Sequence, residues 1–124
     1  FVGIFPALQE AGIAALLDPK SEEAVAQLNA TYDSRRDAFV QAAAKIGWQA
    51  FPSRGSFYAW MPVPEGDTSE SFADLLLEKA HVAVAPGKGF GPAGDAYVRI
   101  GLLVEPERLV EAVNRIANLH LFNN

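Results

Sequence analysis

The apolar and polar positions along this chain fall into segments of distinct period. Residues 1–17 are apolar almost throughout, interrupted only by Gln9 and Glu10. Pro6 suits the first position of a helix, where its missing N–H costs nothing. A segment this apolar is expected to pack on something rather than face water. Asp18-Pro19-Lys20-Ser21 reads as a helix start: a side-chain acceptor, a proline with helical φ, then Glu22 and Glu23 where the helix dipole favours anions. From there to Ile46 no proline or glycine intervenes. Val25, Tyr32, Phe39 and Ile46 recur every seven residues, with Leu28 and Ala42 beside them, which makes one apolar stripe. At ~1.5 Å per residue, a helix of about 26 residues is a rod of roughly 39 Å. That is long for a small domain and suits an element bridging two domains. Gly47 is the stop.

The remaining pattern alternates between strand and helix periods. Trp48–Phe51 reads as a short strand, Pro52–Gly55 as a turn, and Ser56–Met61 as an aromatic-rich strand pairing back as a hairpin. Asp67-Thr-Ser-Glu70 has capping-box spacing ahead of a helix over 72–80, with Glu70 in the cap. His81–Ala85 reads as a strand, with His81 a cap or packing residue at its start. Pro86–Asp95 is a Gly/Pro loop, Ala96–Gly101 a further strand, and Pro106 opens a last helix with Leu109, Val110, Val113 and Ile116 on one face. The predicted fold is α+β: a long N-terminal helix, then β-β-α-β-β-α as a two-layer sandwich with helices on one face of a small mixed sheet.

Composition narrows the function classes. The chain has 124 residues, 50% hydrophobic and 20% charged, which excludes disorder and suits a folded domain. No apolar run approaches the roughly 20 residues needed to span a bilayer. With no cysteine there is no disulfide framework, thiolate metal site or cysteine nucleophile. The two histidines, His81 and His120, are too few and too far apart for a His-rich metal site. A net charge of −5 argues against general affinity for nucleic acid or anionic membranes, and a cytoplasmic setting fits. A chain opening Phe1-Val2-Gly3 with its one methionine at Met61 is expected to be part of a longer protein.

Two features invite chemistry. Pro86-Gly-Lys-Gly-Phe-Gly-Pro92 has glycines that permit close backbone approach, but its spacing matches neither nucleotide-loop pattern and a strand follows it, so it reads as a shaped loop lining a pocket. Arg99 lies in the apolar strand Tyr97-Val-Arg-Ile-Gly101, where alternation places it with Tyr97 and Gly101, opposite Val98 and Ile100. A guanidinium on a strand beside a Gly-rich loop can hold a carboxylate by two parallel hydrogen bonds, and a solvent-facing charge is the plainer alternative. Lys88 is expected to be exposed and charged, not imine-forming. Arg35, Arg36 and Asp37 read as exposed rungs or interface salt bridges on the long helix.

Gly55-Ser-Phe-Tyr-Ala-Trp60, Val82-Ala-Val-Ala-Pro-Gly-Lys-Gly-Phe-Gly91, Tyr97-Val-Arg-Ile-Gly101 and Pro106-Glu-Arg-Leu109 occur in that order. Together they resemble the C-terminal part of class I/II aminotransferases, the fold-type I enzymes that use pyridoxal phosphate. Gln9–Ala15 and the Tyr32-Arg35-Arg36 helix resemble the stretch joining large and small domains there. The resemblance covers nearly the whole chain and lies nearest the branch with LL-diaminopimelate aminotransferase-like enzymes. It implies that residues 1–20 end a large-domain segment, 21–47 form a connecting helix, and 48–124 form a small C-terminal domain. It also implies that Arg99 binds the substrate α-carboxylate, with Gly87, Phe57, Tyr58 and Phe90 on the substrate side. None of Lys20, Lys45, Lys79 or Lys88 stands in the context of the family's cofactor lysine, so the chain alone is expected to be inactive. The parent is expected to be a homodimer acting on an amino acid and a 2-oxo acid. A carbon–sulfur lyase of the same fold, and a free-standing amino-acid-binding regulatory module, are the alternative readings.

Overall fold

The computed structural model describes residues 3–51 and 53–122. The chain forms two compact units, Phe1–Thr31 and Tyr32–Asn124. In the first, helix α1 (Pro6–Leu17) begins with its proline in the first turn, and helix α2 (Ser21–Lys45) starts after a short break. The predicted acceptor at that start is in place, since the Asp18 carboxylate accepts from the Lys20 backbone N–H at 2.7 Å. Helix α1 buries none of its residues, and Ile4, Phe5, Leu8, Leu16 and Leu17 are exposed. Val25 and Leu28 of α2 are exposed as well. The seven-residue stripe therefore divides: its first half faces solvent, whereas Phe39, Ala42 and Ala43 are buried in the core of the second unit.

Gly47 ends α2 in a left-handed conformation, φ +81°. Its N–H donates to Ala44 O at 3.1 Å and that of Trp48 to Ala43 O at 3.0 Å, the paired bonds that satisfy the last carbonyls of a helix. This closure explains the first departure from the predicted order. Residues 48–51 form no strand and no hairpin with 56–61. The Trp48 N–H is committed to the helix end, and its indole is 1% exposed. The indole N–H donates to Pro62 O at 2.8 Å, and the ring stacks on Phe122 and meets Phe39 and Phe72 edge-on. Burying a side chain of this size stabilises by about 3 kcal/mol, and buried aromatic pairs add to it. Trp48 is a core anchor, not a ladder residue.

From α2 onward the order is β1 (Tyr58–Pro62), α3 (Ser69–Leu75), β2 (Ala85–Pro86), β3 (Tyr97–Gly101) and α4 (Pro106–Ala117). The sheet runs β1-β3-β2 with both pairs antiparallel, so among the described residues it is antiparallel where a mixed sheet was predicted. The cap of α3 falls one residue later than predicted, at Thr68 in place of Asp67, and the helix begins at Ser69, ahead of the predicted 72. Thr68 accepts from the Ser71 N–H at 3.1 Å while the Thr68 N–H donates back to Ser71 Oγ at 3.0 Å. Glu70 takes no part in this cap. A single π-helical turn, Leu76–Ala80, follows and ends at His81, φ +55°, as the cap reading of His81 anticipates. The Val82 N–H still donates to Leu76 O, so His81 and Val82 close the helix end, and of the predicted strand 81–85 only Ala85 joins the ladder, with Pro86.

Alternation along β1 and β3 buries Ala59, Met61, Val98 and Ile100. Phe72, Ala73 and Leu76, and Leu109, Val113 and Ile116 of α4, complete the same core. The fold is α+β, with the core on one face of the sheet. The other face carries Tyr58, Trp60, Tyr97 and Arg99, all half-buried. Among the described residues no helix is long and apolar enough to cross a membrane.

Candidate functional site

The centre of the open sheet face is Arg99, in the middle strand. Its backbone partners are Trp60 on β1 and Ala85 on β2. Tyr58 pairs with Gly101, so it is the diagonal neighbour of Arg99 on the same face, within reach of a long side chain. The guanidinium carbon lies 4.0 Å from the centroid of the Tyr58 ring and 4.0 Å from that of Phe90. Phe90 ends the first of two 3₁₀ turns, Gly87–Phe90 and Pro92–Ala96, which carry the chain from β2 to β3. Phe57 packs on Tyr58 with ring centroids 4.5 Å apart and on Tyr32 of α2 at 5.6 Å. Four of the five predicted site residues thus form one cluster.

The same cluster leaves the Arg99 edges unengaged. Among the described residues the guanidinium has no hydrogen bond and no carboxylate within 4.0 Å, while Arg35, Arg36, Arg108 and Arg115 are each paired. Arg35, whose side chain is 14% exposed, bonds Glu105 at 2.5 Å and lies over Tyr32, with its Nε buried and unpartnered. Arg36 bridges Asp33 and Asp37 on the helix surface, as an exposed rung would.

Gly87, the fifth predicted residue, is buried behind this cluster. A Cβ there would overlap the carbonyl oxygens of Gly94 and Tyr97 and come within 2.9 Å of Trp60. Its role is to let two backbones touch, which folds the loop flat and sets where Phe90 emerges. The loop is held a second time at the start of α3. Ser69 is fully buried; its hydroxyl donates to Asp95 Oδ1 at 2.8 Å, its N–H reaches the same oxygen at 3.2 Å, and its oxygen accepts from the Lys88 N–H at 3.2 Å. The Ser69 hydroxyl bond, aided by the Ser69 N–H and the Lys88 charge, holds Asp95 below the usual carboxylate range. Glu70, predicted as a cap, instead accepts from the Lys88 ammonium at 2.7 Å. That bond raises the Lys88 pKa, so Lys88 is the charged, exposed amine the loop composition predicts.

The lowered Asp95 pKa gives this latch a pH dependence with a definite sign. A depressed carboxylate stabilises the fold above its unfolded value, and the contribution disappears as pH falls through the folded value. Asp95→Asn is therefore expected to lower Tm at neutral pH. The gap to the unmodified chain should narrow on acidification, as followed by thermal unfolding between about pH 7 and pH 2. A gap that stays constant would mean that Asp95 stabilises nothing through its charge.

Sequence reasoning missed one part of this face. Phe51, Trp60, Phe90, Ala93, Gly94 and Tyr97 line an open, mostly apolar cleft of about 450 Å³ next to the Arg99 cluster. Phe90 forms the wall between them, meeting Trp60 edge-on at 5.6 Å. The sequence pattern places Trp60 in the aromatic-rich strand Ser56–Met61 but not on this cleft. It assigns Phe51 to a strand that does not form.

Comparison with known proteins accounts for nearly the whole chain. The profile of the family "Aminotransferase class I and II" matches residues 3–116. The L-glutamine–4-(methylsulfanyl)-2-oxobutanoate aminotransferase of Bacillus subtilis (strain 168) is 57% identical over 122 residues, 98% of this chain and 30% of that protein. The LL-diaminopimelate aminotransferase of Moorella thermoacetica is 45% identical over 114 residues, 92% of this chain and 29% of that protein. Among solved structures, substrate-bound BacF from Bacillus subtilis superposes with a TM-score of 0.87 at 41% identity, covering 98% of this chain and 31% of that one. An aminotransferase from Staphylococcus aureus gives 0.85 at 37% identity, covering 98% and 32%. The chain thus spans about 30% of the length of the curated relatives it matches. It belongs to the class I and II aminotransferase family.

Proposed function

We propose that this chain is the carboxylate-binding part of an aminotransferase that moves an amino group between an amino acid and a 2-oxo acid. The observation that carries the reading is the state of Arg99: its guanidinium lies over the Tyr58 and Phe90 rings, and its N–H groups have no partner among the described residues. A planar fork with free edges matches a carboxylate by two parallel hydrogen bonds, stronger and more directional than a single ammonium contact. Gly87, Phe57, Tyr58 and Phe90 shape the surroundings of that fork. Holding the carboxylate fixes the orientation of the adjacent Cα, which is the positioning an aminotransferase needs. The B. subtilis relative is named for L-glutamine and 4-(methylsulfanyl)-2-oxobutanoate. Its name, together with an apolar cleft beside the carboxylate site, favours a 2-oxo acid with an apolar side chain.

The residues present do not fit as an anchor for pyridoxal phosphate, the family's cofactor. An imine-forming lysine needs its amine deprotonated by burial or a cationic neighbour. Lys88 has the opposite environment, with its pKa raised by Glu70, and Lys20, Lys45 and Lys79 are exposed. In this reading the anchoring lysine belongs to a part of the parent that this chain does not contain, and the parent is a homodimer.

One paired experiment tests the assignment. The full-length protein with pyridoxal phosphate, L-glutamine and 4-(methylsulfanyl)-2-oxobutanoate is expected to form methionine. The 124-residue chain alone is expected to form none. Borohydride reduction of the chain mixed with pyridoxal phosphate should label its lysines sparsely and without preference. Stoichiometric labelling of one lysine, Lys88 above all, would place a cofactor site here and overturn the reading.

A further inference from the structure

We infer that Tyr58 and Phe90 are positioning residues that act through Arg99, setting its guanidinium plane for carboxylate binding, and that they are not substrate side-chain contacts. The inference rests on the carboxylate-binding reading of Arg99 and goes beyond it in assigning how the fork is held. An arginine side chain has many rotamers, and ordering it on binding is a cost that a preorganised site avoids. Hydrogen-bond partners within the protein are the usual way to fix a guanidinium, but each uses an edge donor. Here the faces of two aromatic rings are used instead. Both rings stand 4.0 Å from the guanidinium carbon, where cation–π attraction holds the group while every N–H stays available.

Each ring is itself braced from outside the site. Tyr58 is fixed on one side by β1 and on the other by Phe57, which packs on Tyr32 of the long helix. Phe90 is braced by Trp60 edge-on at 5.6 Å, on a turn pinned by the Gly87–Gly94 backbone contact and by Ser69 and Asp95. Phe90 is 51% exposed, so its ring is held at the surface for the arginine and contributes little to the core.

The test is a double-mutant cycle in the full-length enzyme, reading KM and kcat for the 2-oxo acid 4-(methylsulfanyl)-2-oxobutanoate. Phe90→Leu and Tyr58→Leu are expected to raise KM about tenfold with kcat changed less than about twofold, because a pre-set fork serves ground state and transition state alike. Tyr58→Phe keeps the ring face and should recover most of the KM lost in Tyr58→Leu. On an Arg99→Ala background, Phe90→Leu and Tyr58→Leu should add almost nothing, since the group they act through is gone. Equal losses on both backgrounds would show that the rings touch substrate or serve the fold, and would overturn the inference while leaving Arg99 in place. Arg99→Ala with unchanged kinetics would instead remove the carboxylate reading itself. Phe90→Leu changes a half-exposed loop residue and leaves the core residues intact, so the cycle does not depend on the tolerance of Tyr58.

Discussion

Arg99→Ala in the full-length enzyme is expected to lower kcat/KM for the amino acid and the 2-oxo acid by about 2–5 kcal/mol, roughly thirtyfold to several thousandfold. The size follows from what is left behind. The substrate carboxylate would enter a half-buried aromatic setting without its fork, and Arg35, Arg36, Arg108 and Arg115 are engaged with their own carboxylates. Removing one member of a charge-assisted pair costs its energy and also strands the partner. Arg99→Lys should recover little. An ammonium is a point donor that cannot present two parallel N–H groups, and it lacks the flat guanidinium that lies over the Tyr58 and Phe90 rings. The discriminating measurement is steady-state kinetics on Arg99→Ala and Arg99→Lys with both substrates. Recovery of wild-type kcat/KM by Lys would show that charge alone suffices, and would contradict the fork geometry.

Arg99 was legible in the sequence because two constraints met on one short strand. Val98 and Ile100 must be buried, and the two-residue period then places Arg99 on the other face. The helix boundaries near Pro6, Ser21, Gly47 and Pro106 were legible for a similar reason, since proline and glycine act through local geometry. The aromatic clamp was less so. Tyr58 and Phe90 come from segments separated by a helix, and their meeting on Arg99 depends on β1–β3 register and on the path of the loop. That path is set by a Ser69–Asp95 bond across 26 residues, and polar pairings at that range leave no periodic trace.

The departures share a cause: a backbone group was already committed. Trp48–Phe51 has strand-like composition, but the Trp48 N–H closes α2 and its indole fills the core. Residues 81–84 look like a strand, yet Val82 still bonds the preceding helical turn. Hydrophobic pattern reports which side chains want burial. It is silent on which amides a helix end has already taken, and short elements next to helix ends are where the two diverge. The long helix shows the converse. Its stripe is continuous in sequence, but only the Phe39–Ala43 end has a core to enter.

Gly87→Ala is expected to be strongly damaging for a single added methyl, as its contact partner Gly94→Ala would be, lowering stability by about 3 kcal/mol or more and Tm by roughly 10–20 °C. The reason is space. The added Cβ would overlap two backbone carbonyl oxygens, of Gly94 and Tyr97, and neither can yield as a flexible side-chain end could. Relief requires the Gly87–Phe90 turn to lift away from the Pro92–Ala96 turn, which withdraws Phe90 from Arg99 and strains the Ser69–Asp95 latch. KM for the carboxylate substrates should therefore rise along with the loss of stability. Gly89, two residues on in the same turn, is the internal control. A Cβ there meets nothing within 4 Å and its φ is not positive, so Gly89→Ala should be neutral or stabilise by about 0.5 kcal/mol through the unfolded chain. Thermal unfolding of the two variants side by side decides the matter. Equal, small effects would mean that the close backbone contact at Gly87 does not organise this loop, and the placement of Phe90 would then need another cause.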